Sequence, residues 1–139
     1  MTHLFGQTAL RSPLRWSAAF LLLVTSGTHI PLIPEHLEEA PYVGWLFIAL
    51  SVVSVVFAVL VVRWDTPAVW AASGLLTLLA VLGFVASRTV GLPQIADDIG
   101  NWTEPLGYPA VAAEVLATVV AAVVLAHRQP PHPSRKGHA

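Results

Sequence analysis

The stretch from Val43 to Val62, VGWLFIALSVVSVVFAVLVV, carries no ionisable side chain and no proline. Twenty residues of helix at about 1.5 Å each extend about 30 Å, the hydrocarbon thickness of a bilayer. The many Val residues do not argue against helix, because in lipid only helices and closed barrels satisfy every backbone donor and acceptor internally. A barrel is excluded by the pattern: barrel strands alternate apolar and polar residues, whereas this run is apolar on every face.

Working outward, three further runs have the same character, from Leu14 to about Ile33, from Ala68 to Ala86 and from Pro109 to Ala126. Charged residues fall mainly in the gaps and make up 11% of the 139 residues, against about 25% in a soluble domain. The expected fold is all-α, a polytopic membrane protein built as a four-transmembrane-helix bundle. A single domain is expected over residues 1–126 with spans at about 14–33, 43–62, 68–86 and 109–126, leaving no room for a second. Residues 127–139 are rich in Pro and basic residues and are expected to form a disordered cytoplasmic tail.

Lys and Arg in short loops set orientation. Arg11 and Arg15 precede the first span, Arg63 follows the second, and Arg128, Arg135 and Lys136 follow the fourth, whereas Arg88 stands alone on the other side. The chain is therefore expected in the cell membrane with both termini cytoplasmic and the loops around Glu35 and Asp97 outside. Interfacial aromatics are expected at Trp16, Trp64 and Trp70 on the inner boundary and at Tyr42, Trp45 and Tyr108 on the outer one. Arg11 and Arg15 ahead of Thr25, Ser26 and Gly27 also fit a cleaved signal peptide. The apolar run continues through Ile30, Leu32 and Ile33, so a retained span is expected.

The chain has no cysteine and one methionine, which removes disulfides, thiolate metal sites, cysteine nucleophiles and soft Cu(I) sites. Phosphate-cradling glycine motifs, HExxH and GxSxG are also missing. The spacing of His127, His132 and His138 is too loose for a metal tract. Polar chemistry concentrates instead on the expected outer face. The first outer loop offers His29, Glu35, His36, Glu38 and Glu39, with Pro31 and Pro34 breaking the first helix and Pro34 placed to begin a short turn through Glu38. The second, SRTVGLPQIADDIGNWTEPLGYP, includes Asp97 and Asp98 and is long for a connection. Ile95, Ile99, Trp102 and Leu106 point to an ordered cap folded back on the membrane surface.

Two charges stand within or at the end of apolar spans. Glu114 lies five residues into the fourth run and Arg88 ends the third. Ionisable groups at such depths face the bundle interior and pair. Arg88 is the expected partner of Glu114, and His29 the second candidate. A polar interior open to the outside is expected, with Ser73, Thr77, Ala80 and Arg88 on one helix face, Thr25 with His29 on another, and Glu114 with Thr118 on a third. Ordinary packing accounts for many of these residues too: Gly44, Ser51 and Ala58 recur every seven residues, and Ala113, Ala117 and Ala121 form a small-residue row that lets helices approach.

The string Ser87, Arg88, Thr89, Val90, Gly91, Leu92, Pro93, followed by an acidic residue in the next helix at Glu114, resembles a pattern in uncharacterised four-helix membrane proteins of actinobacteria. The arrangement of His29, Glu35 and His36 ahead of Tyr42 and Gly44 is similar. The resemblance implies no activity. From the residues, a non-enzymatic scaffold, accessory or extracytoplasmic ligand-binding role is expected, without cofactor. The partners expected are the lipid bilayer and a membrane protein or second copy, not nucleic acid. Two alternatives stay open, a proton- or cation-coupled transporter using Glu114 and a metal or haem protein using His29 and His36.

Overall fold

The computed structural model describes residues 3–4 and 7–128. Beyond a two-residue ladder pairing His3–Leu4 with Gln7–Thr8, the regular structure is helical. α1 covers Leu14–His29, α2 Ile33–Glu39, α3 Pro41–Arg63, α4 Pro67–Thr89 and α5 Gly107–Ala126. Four helical runs are long and apolar enough to cross a membrane, the first being α1 continued through a 3-10 turn into α2. The protein is a multi-pass membrane protein. The tail expected after Ala126 is described only as far as Arg128, and residues 129–139 lie outside the described part.

Proline sets the helix starts. Pro31 occupies the 3-10 turn, Pro34 the first turn of α2, and Pro41 and Pro67 open α3 and α4, where a missing N–H costs nothing. The helical run breaks at Ala40 (φ −144°, ψ 85°), so α2 folds back along α3. Gly44 permits the approach: a Cβ there would stand 2.6 Å from the Leu37 side chain and 2.8 Å from its backbone nitrogen.

α1 packs on α3 and on α5, and α5 packs on α4, whereas α3 and α4 touch little. Ala113, Ala117 and Ala121 are buried along α5, and a Cβ on Gly74 of α4 would stand 2.8 Å from that of Ala121. Small residues thus bring the helices close, as packing without a hydrophobic driving force demands. The exterior is apolar instead, with Phe20, Leu23, Val52, Val59, Leu75 and Leu82 among the exposed side chains.

One end of the bundle carries the chain's N-terminal residues and the α3–α4 turn, and is called here the terminal end. Its core joins Ala18, Leu22, Ala58, Val61, Trp70 and Val124. Asp65, in the turn at φ 46°, accepts hydrogen bonds from Trp70 Nε1 at 2.5 Å and from the Ser12 backbone N–H at 2.7 Å, with Arg15 3.8 Å away. Trp70 is 0% exposed, which corrects its expected place in an interfacial belt. Its indole N–H needs a buried acceptor, and Asp65 supplies one inside the bundle.

The opposite, or cap, end carries α2 and residues 90–106. This long segment is ordered over the helices: Ile95 is buried with Ala40 and Val43, the Gly100 N–H donates to Arg88 O at 2.8 Å, and the Tyr42 hydroxyl donates to Pro93 O at 2.7 Å. Gly91 makes the turn at φ 81°, with Ile99 packed so near that a Cβ would stand 2.8 Å from it; both facts select glycine.

Candidate functional site

Toward the cap end, a cleft of about 360 Å³ lies between α3 and α4, which touch little. Its walls are apolar, from Phe47, Leu50 and Val53 of α3 and Leu76, Leu79 and Gly83 of α4. Its head, beneath the cap, is polar and gathers His29, His36, Ser87, Arg88, Asp98 and Glu104. The volume lies within the range of small-ligand sites, about 300–1,000 Å³.

Arg88 organises the head. It is 4% exposed and forms ion pairs with Asp98, Nη1 to Oδ2 at 2.7 Å, and with Glu104, while its guanidinium carbon stands 4.9 Å from the Phe84 ring centre. The pairing expected between Arg88 and Glu114 is therefore corrected. A 17-residue cap (residues 90–106) brings two carboxylates to the end of α4, and they are nearer than a residue deep in α5. Among the described residues, Arg88 Nε has no hydrogen-bond partner.

Glu114, 2% exposed, faces His29 instead, with Oε1 3.6 Å from Nε2, an ion-pair distance beyond hydrogen-bond range. Each cleft imidazole commits Nδ1 to its own helix, His29 to Thr25 O and His36 to Leu32 O, both at 2.8 Å. A carbonyl only accepts, so each Nδ1 carries a proton, and each Nε2 is an acceptor when the ring is neutral. Both rings contact Phe47, with centroids 4.8 and 4.7 Å away. Thr77 on α4 and Thr118 on α5 join hydroxyls at 2.8 Å, and Ser73 is buried on the Thr77 face.

The sequence-derived candidates divide. His29, His36, Arg88 and Asp98 come together at the cleft head, and Glu114 stands behind His29. Glu35, Glu38, Glu39 and Asp97 are exposed outside it. Among the described residues, no group of three or more His, Asp or Glu side chains is arranged to hold a metal ion. Glu104, Phe47 and Phe84 escaped the sequence reading. Glu104 lies in the polar TEPLG string, where its place over Arg88 depends on the path of the cap, and aromatics in an apolar run give no sign of which face they occupy.

Fold and site together define a small multi-pass membrane protein with a capped cleft between two of its spans. No protein-family model, curated protein or solved structure matches the chain.

Proposed function

We propose that this is a non-enzymatic binding protein that takes an amphiphile from the outer leaflet, with the cap end extracytoplasmic and both termini inside. The observation that carries the reading is the cleft, whose apolar walls descend along α3 and α4 from a polar head. A chain would lie between Leu50 and Leu79 while its head met the groups around Arg88. Beyond the cleft toward the terminal end, the bundle is closed by Leu22, Ala58, Val61 and Trp70, which favours binding over transport. The likeness of Ser87–Pro93 to uncharacterised actinobacterial proteins is proposed to mark common ancestry.

Gly83 supplies the test. It lines the cleft, and a Cβ there meets no atom within 4 Å, so Gly83→Phe fills the cleft from an unstrained position. Native mass spectrometry of protein released from nanodiscs should show saturable one-to-one retention of dodecanol by the parent and at least a tenfold loss in Gly83→Phe. Equal retention by both would overturn the reading.

A further inference from the structure

The inference rests on the amphiphile reading and concerns the charge of the head. Two carboxylates, Asp98 and Glu104, oppose one guanidinium at Arg88, so carboxylates outnumber the cation they share. Its spare capacity is also lopsided. Each carboxylate has an oxygen beyond its ion pair with Arg88, His36 lines the head with Nδ1 committed to Leu32 O and Nε2 left over, and Ser87, having donated to Phe84 O at 2.7 Å, keeps lone pairs. Arg88 Nε is a buried spare donor.

Such a head disfavours an anion. The guanidinium that would attract a phosphate or carboxylate is already paired twice. In a membrane, such a bias works against phosphate-bearing headgroups. A head with several N–H donors and one positive charge meets the free carboxylate oxygens and offsets the carboxylate in excess. Phe47 lines the same cleft, and an aromatic ring face attracts a cation. An oxygen beside the amine would meet Arg88 Nε.

We infer that the cleft selects a long-chain amine, with the protonated nitrogen beside Asp98, Glu104 and His36 and the alkyl chain between α3 and α4. The full chain in phosphatidylcholine nanodiscs, titrated with dodecylamine, 1-dodecanol and dodecanoate and corrected with empty nanodiscs, tests it at constant chain length. The amine should bind at least tenfold more tightly than the alcohol, with dodecanoate weakest. The double variant Asp98→Asn, Glu104→Gln should lose that preference while still binding dodecanol, which also reports that the cleft has formed. Should the variant fail to fold, the rank order in the parent protein decides. Alcohol or dodecanoate binding as tightly as the amine would overturn the head assignment and leave the cleft standing. Absence of saturable binding by all three, or binding undiminished by Gly83→Phe, would remove the amphiphile reading and this inference with it.

Discussion

Replacing Arg88 by Leu removes the cation that holds the cap. The side chain is 4% exposed, and the carboxylates it leaves behind are 24% exposed at Asp98 and 23% at Glu104. Breaking a fully buried pair by deleting one partner costs about 3–5 kcal/mol. Here both carboxylates recover some water, and the exposed limit is about 0–1 kcal/mol per pair. Two half-buried pairs lost together place Arg88→Leu near 3 kcal/mol. The sharper quantity is the coupling. In a cycle of Arg88→Leu, Glu104→Gln and the double variant, the second substitution relieves the charge stranded by the first, so a coupling of about 1–2 kcal/mol is expected. The parallel cycle with Glu114→Gln should give less than about 0.5 kcal/mol, because Glu114 faces His29. Unfolding in mixed micelles followed by tryptophan emission suits the purpose, since Trp102 packs on Phe84 at 6.0 Å between ring centres. Coupling of Arg88 to Glu114 with none to Glu104 would refute the assignment.

Further tests lie elsewhere in the bundle. Gly44→Ala forces a Cβ to 2.6 Å from the Leu37 side chain and should cost about 1–3 kcal/mol by overpacking, read as a lower thermal midpoint in detergent. Gly83→Ala, in open space, should stabilise α4 by up to about 1 kcal/mol. Gly74→Ala has the same backbone benefit but meets the Ala121 Cβ at 2.8 Å, so a midpoint below that of Gly83→Ala is expected; the reverse order would contradict the packing. Asp65→Ala strands the buried Trp70 indole N–H, and leaving such a donor unsatisfied costs about 1–3 kcal/mol. Asp65→Asn, which keeps an acceptor and tolerates the positive φ, should lose less in the same assay.

The spans were legible because the bilayer imposes a length and forbids charge, and Val43–Val62 satisfies both conditions. The prolines at 31 and 34 marked a change in the first helix, since proline lacks a donor, but the run only tightens into a 3-10 turn there and breaks at Ala40. The polar residues at His29, His36, Arg88 and Asp98 stood out against an apolar background, but their pairing did not. Depth along a helix is readable from residue count, whereas the choice between Glu114 and Glu104 depends on how a cap without regular periodicity crosses the bundle. Trp70 misled because a tryptophan near a span boundary has the same appearance whether its indole meets headgroups or a buried Asp65. The cleft itself was invisible, for a helix apolar on every face does not disclose which side lacks a neighbour.

The turn at Asp65 joins α3 to α4 directly at one end, while at the other the cap bridges them through Pro93 and Ile95. That geometry is a lever with its fulcrum at the turn. α3 has 23 residues and is about 35 Å long at about 1.5 Å per residue. A tilt of about 5° about the fulcrum therefore moves its far end by about 3 Å, enough to change the gauge of the opening by most of the width of an alkyl chain. Such a tilt scarcely shifts the side chains beside Trp70. At the far end Tyr42 and Val43 are held to the cap through Pro93 and Ile95, so any change of gauge there has to carry the cap with it.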